Sequence, residues 1–344
     1  MTAVGGSMRV LITGATGYLG GHVAARLRSA GHAVIALARP GRGTCVPAGC
    51  LPVEGDVLDP ASLDRALDGC DALVHMAALV KMWVKDRREF DRVNVEGVAA
   101  VLRAAERRRV RRILYTSTIG ALGPTGPEPR NETFERNEFR FRTEYERTKW
   151  VADRLVRERT GDGLPVVTVY PGVVYGAGAM TQGNLLDRVF TDFLDGRLKA
   201  RLGGAPTRVC YAYADDVAEG HRLALERGTP GRGYILGGEN VSQDELFALL
   251  QALTGRRPPR FVIPFWTAVA AGRLLRAWAR LTGRPPAITD GAVATFRHHW
   301  IYSSDRAVRE LGYRITPLRE GLGRTIDALR PRMASRAGAA GQER

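Results

Sequence analysis

A tyrosine and a lysine four positions apart, Tyr145 and Lys149, are the side chains in this chain best suited to chemistry. Residues at this spacing lie on one face of a helix, so a helix here brings a phenol and an ammonium group together. A free phenol, with a pKa of about 10, is a poor base at neutral pH. We expect the charge of Lys149 to lower the pKa of Tyr145 and to allow proton transfer at a substrate oxygen.

A hydroxyl side chain is also needed to hold that substrate oxygen. The apolar stretch 113–116 predicts a buried strand, and hydroxyl residues follow directly after it. Thr118 is the best candidate for this role, and Ser117 is the second.

A glycine-rich loop follows the apolar run 10–12 and precedes a predicted helix. The first glycine allows a tight turn, the second lets the backbone approach a pyrophosphate, and the third permits close packing of helix on strand. The start of that helix carries a partial positive charge that favours phosphate. We therefore predict a dinucleotide site formed by Gly14, Thr16, Gly17, Tyr18, Leu19 and Gly20. With Tyr145 and Lys149 further along the chain, this loop predicts hydride transfer to or from a nicotinamide.

The residues after the second predicted strand, 33–38, bear on the choice of dinucleotide. An acidic residue there would bind the adenosine ribose and favour NAD. This chain has Arg39 instead, with Arg42 nearby, and a guanidinium suits a 2′-phosphate. We expect NADP(H) as the cofactor, with NAD(H) less favoured. Asp56 and Val57 are expected to contact the adenine.

Strands and helices alternate along the first two-thirds of the chain, which predicts a parallel sheet covered by helices. The predicted strands are 9–12, 33–38, 52–56, 72–75, 113–116 and 166–170. The predicted helices in this part are 19–30, 62–67, 89–107 and 145–159. We expect an α/β fold: a Rossmann-type doubly wound parallel sheet with a smaller, mainly helical C-terminal substrate lobe.

The alternation weakens after Gly176, where the predicted elements are mostly helices, at 181–196, 243–253 and 265–281, with a late strand at 233–237. The dinucleotide-binding body is predicted to comprise residues 8–176 and about 205–240. The lobe would comprise about 177–204 and 241–330. Residues 1–7 and 331–344 are expected to be flexible termini.

Composition narrows the class of protein. The 344 residues are 44% hydrophobic, which is ordinary for a globular chain. There is no apolar run of about 18 residues and no apolar region near the start, so we expect a cytoplasmic protein. The formal net charge is +15, and only four of the 51 basic residues are lysine. The arginines are spread along the chain without interleaved aromatic residues, so we expect no nucleic-acid partner.

Candidate substrate contacts come from the segments around the predicted site: Lys81, Trp83, Met180, Asn184 and Tyr211. Each of them could equally be a packing residue. The cysteines have no metal-like spacing, and His298 and His299 lack acidic or cysteine partners at ligand spacing, so we expect no metal.

The helix 265–281 leaves three alternatives open. Its apolar residues, among them Leu274 and Trp278, are accompanied by Arg273, Arg276 and Arg280. It could lie at a membrane surface with its arginines at the headgroups. It could be the lid of an apolar pocket, or an ordinary amphipathic helix packed on the lobe.

From about residue 8 to residue 329, the chain resembles the extended short-chain dehydrogenase/reductase superfamily, and within it the dihydroflavonol reductase-like and 3β-hydroxysteroid dehydrogenase-like group. The stretches that carry the resemblance are 13–20, 75–78, 93–97, 115–118, Tyr145 with Lys149, 171–176, 311–313 and 317–318. One departure is Tyr170, where relatives often have arginine.

The resemblance implies roles for further residues. It places Ala77 and Ala78 along the cofactor cleft and gives Asn94 a structural role near the site. It assigns the positioning of the nicotinamide to the segment after the sixth strand, through Pro171, Val173 and Val174. It maps the catalytic hydroxyl of the group onto Thr118.

The resemblance also implies the class of reaction. Members of the group act on hydrophobic ketones and alcohols, so we expect an NADP(H)-dependent reductase or dehydrogenase for a hydrophobic small molecule. A nucleotide-sugar epimerase that uses NAD is the first alternative, and a non-catalytic NADP(H) sensor is the second. The habit of the family predicts a homodimer through helices 89–107 and 145–159, with a monomer as the alternative.

Overall fold

The computed structural model describes residues 6–136, 139–178, 184–203 and 206–342. A seven-stranded parallel sheet lies at its centre, in the order β10-β6-β5-β4-β1-β2-β3. The strands of the chain are β1 Arg9–Thr13, β2 Ala33–Ala38, β3 Leu51–Glu54, β4 Ala72–His75, β5 Arg112–Thr116, β6 Val166–Pro171, β7 Val173–Tyr175, β8 Ala200–Leu202, β9 Arg208–Tyr213, β10 Gly233–Leu236, β11 Glu239–Ser242 and β12 Phe261–Ile263. The strand order reverses between β1 and β4, where doubly wound sheets bind their ligands.

Helices cover both faces of this sheet, which confirms the Rossmann-type α/β prediction. The helices are α1 Tyr18–Ser29, α2 Pro60–Ala66, α3 Arg88–Asp91, α4 Gly97–Arg107, α5 Ile119–Leu122, α6 Glu144–Gly161, α7 Leu185–Leu194, α8 Ala214–Arg227, α9 Gln243–Thr254, α10 Phe265–Thr282, α11 Asp290–Thr295 and α12 Leu318–Gln342. Side chains alternate along a strand. Val10 and Ile12 therefore enter the core under α1 and α8, while Leu11 enters the core under α2 and α4.

The lobe is built from α7, α9, α12 and the three-stranded sheet β11-β9-β7. Its core contains aromatic and aliphatic residues such as Tyr175, Phe190 and Phe247. Strand β10, predicted as a late strand, joins the main sheet beside β6 in parallel.

One local prediction differs from the structure. The single helix predicted over 89–107 is interrupted by a π-helical turn at Arg92–Glu96, which lies between α3 and α4. Helix α12 runs from Leu318 to Gln342, and its first turns are anchored in the lobe core through Leu318, Leu322 and Ile326. That residues 331–344 are flexible stays a prediction.

Candidate functional site

The glycine loop follows β1, and its backbone lies close to the backbone of the segment that follows β4. Gly14 has a φ of +83°, and a Cβ atom there would lie 2.8 Å from the Ala77 nitrogen. A Cβ atom on Gly20 would lie 2.1 Å from the Gly14 carbonyl oxygen. Helix α1 starts after Gly17 without a side-chain cap, so its first amide groups have no side-chain acceptor. These features fit a bound dinucleotide pyrophosphate.

A buried hydroxyl, missed by sequence reasoning, joins the two strands at this point. The Thr13 hydroxyl oxygen accepts hydrogen bonds from the backbone amides of Met76 and Ala77, at 3.2 Å each. The same oxygen lies 2.7 Å from Nδ1 of His75. Ala77 and Ala78 are therefore held at the end of β4, beside the glycine loop. A polar residue at the end of the apolar run 10–12 is the signal in the sequence that could have pointed to Thr13.

The adenosine side of the site contains the predicted arginine and one acid that sequence reasoning missed. Arg39 is exposed and forms no ion pair with any described residue. Glu54 ends β3 in register with Ala38, and its carboxylate accepts a hydrogen bond of 3.1 Å from the Gly41 amide. The Asp56 carboxylate accepts from the Leu58 amide at 2.9 Å, and Val57 is buried.

The structure brings Thr118 and Tyr145 together. Thr118 caps the N-terminus of α5, where its hydroxyl oxygen accepts a hydrogen bond of 3.2 Å from the Gly120 amide. Tyr145 lies in the first turn of α6, which starts after the capping residue Thr143. Burial raises the pKa of Tyr145 to about 12, and a hydrogen bond with the Thr118 hydroxyl opposes this effect. The phenol is therefore protonated at neutral pH.

Lys149 has partners other than the predicted one. Its ammonium donates to the carbonyl oxygen of Thr116 at 2.7 Å and to the Tyr115 hydroxyl at 3.1 Å. Burial lowers the pKa of Lys149 to about 8, and the carboxylate of Asp153 opposes this effect. The prediction of a lowered pKa for Tyr145 is corrected here, because burial is the largest effect on the phenol and raises its pKa.

Tyr170, the departure from the family pattern, is buried and contacts the half-exposed side chain of Arg157. Its hydroxyl accepts a hydrogen bond of 3.1 Å from Nη2 of Arg157, and burial raises its pKa. Nε of Arg157 donates to Asp153 at 2.8 Å. An acid and an arginine four residues apart on a predicted helix are the sequence signal for this pair.

Asn94 lies in the π-helical turn and is buried. Its amide oxygen accepts from the Leu79 amide at 2.7 Å. Its amide nitrogen donates to the Leu79 carbonyl oxygen at 3.3 Å and to the Thr148 hydroxyl at 3.0 Å. Asn94 thus joins the segment after β4 to helix α6, beside Lys149.

The segment after β6 is attached to helix α1. Pro171 ends β6, and Val173 and Val174 belong to β7. The Tyr18 hydroxyl donates to the Gly176 carbonyl oxygen at 2.9 Å. Tyr18, predicted as a cofactor contact beside Thr16 and Leu19, therefore also fixes the loop that follows β7.

The candidate substrate residues fall in different places. Trp83 is partly buried and lines a cavity of about 90 Å³ next to the start of α6, whereas Lys81 is exposed. Asn184 is buried and caps α7. Tyr211 is buried in the lobe core, so its side chain packs there instead of facing the cavity. Met180 lies outside the described residues.

The 90 Å³ cavity opens between the segment after β4, the start of α6 and helix α10. Its lining residues include Trp83, Thr143, Glu144, Arg276, Arg280 and Asp290. Glu144 precedes Tyr145, so the cavity reaches the start of helix α6. Within the ranges described, no cluster of three or more histidine, cysteine or acidic residues could hold a metal ion. No helix in those ranges is long and apolar enough to cross a membrane.

The model of the NAD-dependent epimerase/dehydratase family matches residues 10–237. The chain belongs to this family. It is accordingly an extended short-chain dehydrogenase/reductase and an NAD(P)-dependent oxidoreductase. Its members are built around a nicotinamide dinucleotide, and the glycine loop of this chain fits that cofactor.

Similar proteins include reductases and dehydrogenases. Sterol demethylase protein B of Methylococcus capsulatus is 35% identical, over 75% of this chain and 78% of its own. A ketoreductase of Stigmatella aurantiaca for 4-hydroxy-2-methyl-3-oxo-4-farnesyl-3,4-dihydroquinoline-1-oxide is 33% identical, over 97% of this chain and 98% of its own. Proteins named 3β-hydroxysteroid dehydrogenase are also similar. The crystal structure of gox2253 superposes with a TM-score of 0.80 at 32% identity, covering 95% of this chain and 99% of its own.

Proposed function

We propose that the protein is an NADP(H)-dependent ketoreductase, able to run in reverse as a dehydrogenase, for a hydrophobic ketone and its secondary alcohol. The observation that carries this proposal is the pairing of Thr118 with a protonated, partly buried Tyr145, in a chain that also has the glycine loop. A phenol kept protonated at neutral pH is suited to donate a proton to a carbonyl oxygen.

The glycine loop would hold a nicotinamide dinucleotide, which would supply a hydride for the carbonyl carbon. The Thr118 hydroxyl holds the carbonyl oxygen, and Tyr145 donates its proton to that oxygen, so that the ketone becomes an alcohol. The charge of Lys149, one turn further along α6, stabilises the phenolate that remains. With a pKa of about 8, Lys149 carries that charge at neutral pH.

A hydrophobic substrate is favoured by the relatives and by the sequence after Thr118. The Stigmatella aurantiaca relative, which aligns over nearly the whole chain, is named for a farnesyl-bearing ketone. Thr118 is followed by Ile119 and Gly120, whereas the dehydratases of the superfamily usually have an Asp-Glu pair there. Exposed Arg39 supports NADP(H) over NAD(H), because a guanidinium free of ion pairs can bind a 2′-phosphate.

A nucleotide-sugar epimerase is the second candidate, and the description of the family itself favours it. An epimerase would retain NAD and return the hydride to the same substrate. The two candidates therefore differ in whether the cofactor exchanges and whether it is consumed.

The test starts with purified protein, which is denatured and examined for released dinucleotide. NADPH and NADH are then titrated by fluorescence, and NADPH consumption is followed with a panel of hydrophobic ketones. We expect exchangeable NADPH and its stoichiometric oxidation. Tightly retained NAD with no net consumption would overturn the proposal in favour of epimerisation.

The variant Tyr145→Phe tests the catalytic assignment. We expect kcat to fall by about 10²- to 10⁴-fold, the usual contribution of a general acid, with little change in the Kd for NADPH. Tyr234→Phe is the matched control, because Tyr234 is a buried tyrosine of β10 whose hydroxyl contacts Glu310. Unchanged turnover in Tyr145→Phe would remove this residue from the reaction.

A further inference from the structure

Helix α10 has its small residues inside and its large apolar residues outside. The buried residues of α10 are Ala268, Gly272 and Ala279. Trp266, Leu274, Trp278 and Leu281 are 74%, 73%, 62% and 84% exposed. An amphipathic helix that packs on a protein core shows the opposite arrangement.

The exposed apolar residues of α10 form one stripe. Trp266, Leu274 and Trp278 are spaced by multiples of four residues, and Leu281 follows three residues later, so all four project from the same side of the helix. Strand β12, directly before α10, adds exposed Phe261, Val262 and Ile263. We call these seven residues the apolar face. Exposed apolar side chains on a protein surface usually occur singly, whereas these seven lie within 21 residues of the chain.

A close contact fixes the orientation of the helix. A Cβ atom on Gly272 would lie 2.4 Å from the backbone nitrogen of Asp290, so the glycine side of α10 is pressed against the start of α11. Nη1 of Arg276 also lies 3.1 Å from the Asp290 carboxylate. The apolar face therefore cannot rotate inward without losing these contacts.

The surroundings of the apolar face are strongly basic. From residue 246 to residue 289 the chain has no aspartate or glutamate and has seven arginines: Arg256, Arg257, Arg260, Arg273, Arg276, Arg280 and Arg284. Among the residues described, Arg256, Arg257, Arg260, Arg280 and Arg284 form no ion pair. A partner that matches this face would have an apolar interior for the exposed side chains and an anionic surface for the arginines.

We propose that this face binds an anionic phospholipid surface, with Trp266, Leu274, Trp278 and Leu281 among the acyl chains and the arginines at the headgroups. Tryptophan and arginine suit this depth because each combines an apolar part with a polar end. A second copy of the chain fits less well, because pairing two copies of this face would bring two arginine-rich segments together.

The position of the helix gives this contact a role. Arg276 and Arg280 of α10 line the 90 Å³ cavity that also contains Trp83 and Glu144. A bilayer under α10 would therefore lie beside the cavity that Glu144, the residue before Tyr145, lines. This part of the inference rests on the proposed function: the ketone is dissolved in the membrane and enters the cavity from it.

Vesicle co-sedimentation of the full chain tests the contact. The vesicles are pure phosphatidylglycerol or pure phosphatidylcholine, and the variant is the double substitution Leu274→Asp with Trp278→Asp. We expect binding to phosphatidylglycerol that weakens with salt, weak binding to phosphatidylcholine, and a loss of at least about tenfold in the variant. Val308→Asp is the matched control, since Val308 is 45% exposed on another surface and should leave binding unchanged.

Three results would overturn the contact. The first is that wild-type protein stays in the supernatant with phosphatidylglycerol vesicles. The second is that Val308→Asp loses as much vesicle binding as the double variant does. The third is that the protein forms a dimer without vesicles and that the double substitution dissociates this dimer. The last result would assign the face to a second copy of the chain. Because exposed positions are changed, unaltered NADPH binding and circular dichroism verify that the variant is folded.

Turnover separates this inference from the proposed function. A ketone dissolved in water should be reduced equally by wild type and the double variant, whereas the same ketone in phosphatidylglycerol vesicles should be reduced more slowly by the variant. Vesicle binding without any turnover would leave the membrane contact intact and refute the ketoreductase. Equal turnover in vesicles would refute delivery from the bilayer.

Discussion

The ammonium of Lys149 donates a hydrogen bond of 3.1 Å to the hydroxyl of Tyr115, and it lies 4.7 Å from the centre of that ring. Tyr115 is a fully buried residue of β5, so Lys149 is anchored to the central sheet. Burial lowers the pKa of Lys149, and the carboxylate of Asp153 opposes this effect. A hydrogen bond accepted by the Tyr115 hydroxyl also favours the charged form of the lysine. The balance leaves the pKa of Lys149 near 8.

Tyr115→Phe should make Lys149 lose its proton at lower pH. The substitution keeps the ring but removes an acceptor of the ammonium, which is worth about one pKa unit. Activity that needs a charged Lys149 should therefore decline at lower pH than in wild type. The measurement is the pH profile of kcat between pH 6 and 10 at saturating NADPH.

Tyr234→Phe serves as the control for this profile, because its hydroxyl lies in β10, away from Lys149. A profile in Tyr115→Phe that superposes on wild type would show that the Tyr115 hydroxyl does not affect the charge on Lys149. In Tyr115→Phe, kcat should differ less from the wild-type value at pH 6 than at pH 8.

Arg39→Ala should weaken NADPH binding more than NADH binding. A charge-assisted hydrogen bond to a phosphate contributes about 1.5–3 kcal/mol, so we expect Kd for NADPH to rise by about 10- to 100-fold. The Kd for NADH should change by less than about threefold. Arg309→Ala, an exposed arginine of the Ala307–Leu311 turn, controls for the loss of one positive charge. Equal losses for both dinucleotides would show that Arg39 does not distinguish them.

Two buried histidines should make the fold sensitive to acid. Burial lowers the pKa of His75 to about 3 and that of His221 to about 4. Between pH 6.5 and these values the unfolded chain binds protons that the folded chain does not, so stability falls as the pH falls. From pH 7 to pH 5 we expect a loss of about 2 kcal/mol for each histidine.

The measurement is urea unfolding at pH 7 and pH 5 for wild type and His221→Gln. Glutamine cannot titrate but can donate and accept the hydrogen bonds that join His221 to Thr116 and Val217. The variant should lose about half as much stability over this interval as wild type. An identical loss in both proteins would mean that His221 contributes nothing to the pH dependence.

Asn94→Ala should destabilise the site. The substitution leaves the backbone amide and carbonyl of Leu79 without their partner, and each unsatisfied buried group costs about 1–3 kcal/mol. We expect a lower Tm and a higher KM for NADPH, since the segment after β4 borders the cofactor site. Asn131→Ala, at an exposed asparagine, is the control. A Tm that stays at the wild-type value would contradict the joining role of Asn94.

Much of the fold could be predicted because its signals are local. Strands β2 and β4 begin and end at the predicted residues, since short apolar runs bounded by glycine, proline or charge leave little choice. The glycine loop was predicted for the same reason: its backbone positions accept only glycine, as the contact of Gly14 with Ala77 shows.

The placement of side chains depended on the tertiary structure. Tyr211 lies on strand β9, where one side chain in two faces the core. The sequence did not show which face Tyr211 is on, and in the structure it packs in the lobe core. The four-residue spacing of Tyr145 and Lys149 put them on one face of a helix, but β5 decided that Lys149 bonds to Tyr115.

By itself, the sequence indicated a doubly wound parallel sheet, the dinucleotide loop, and Tyr145 and Lys149 on one face of a helix. The tertiary structure decided the partners of Lys149, the burial of Tyr211 and the outward face of α10. Periodicity specifies that a helix has an apolar face, and only packing specifies what that face meets. On α10 the small residues Ala268, Gly272 and Ala279 fit against the protein, which leaves Leu274 and Trp278 on the outside.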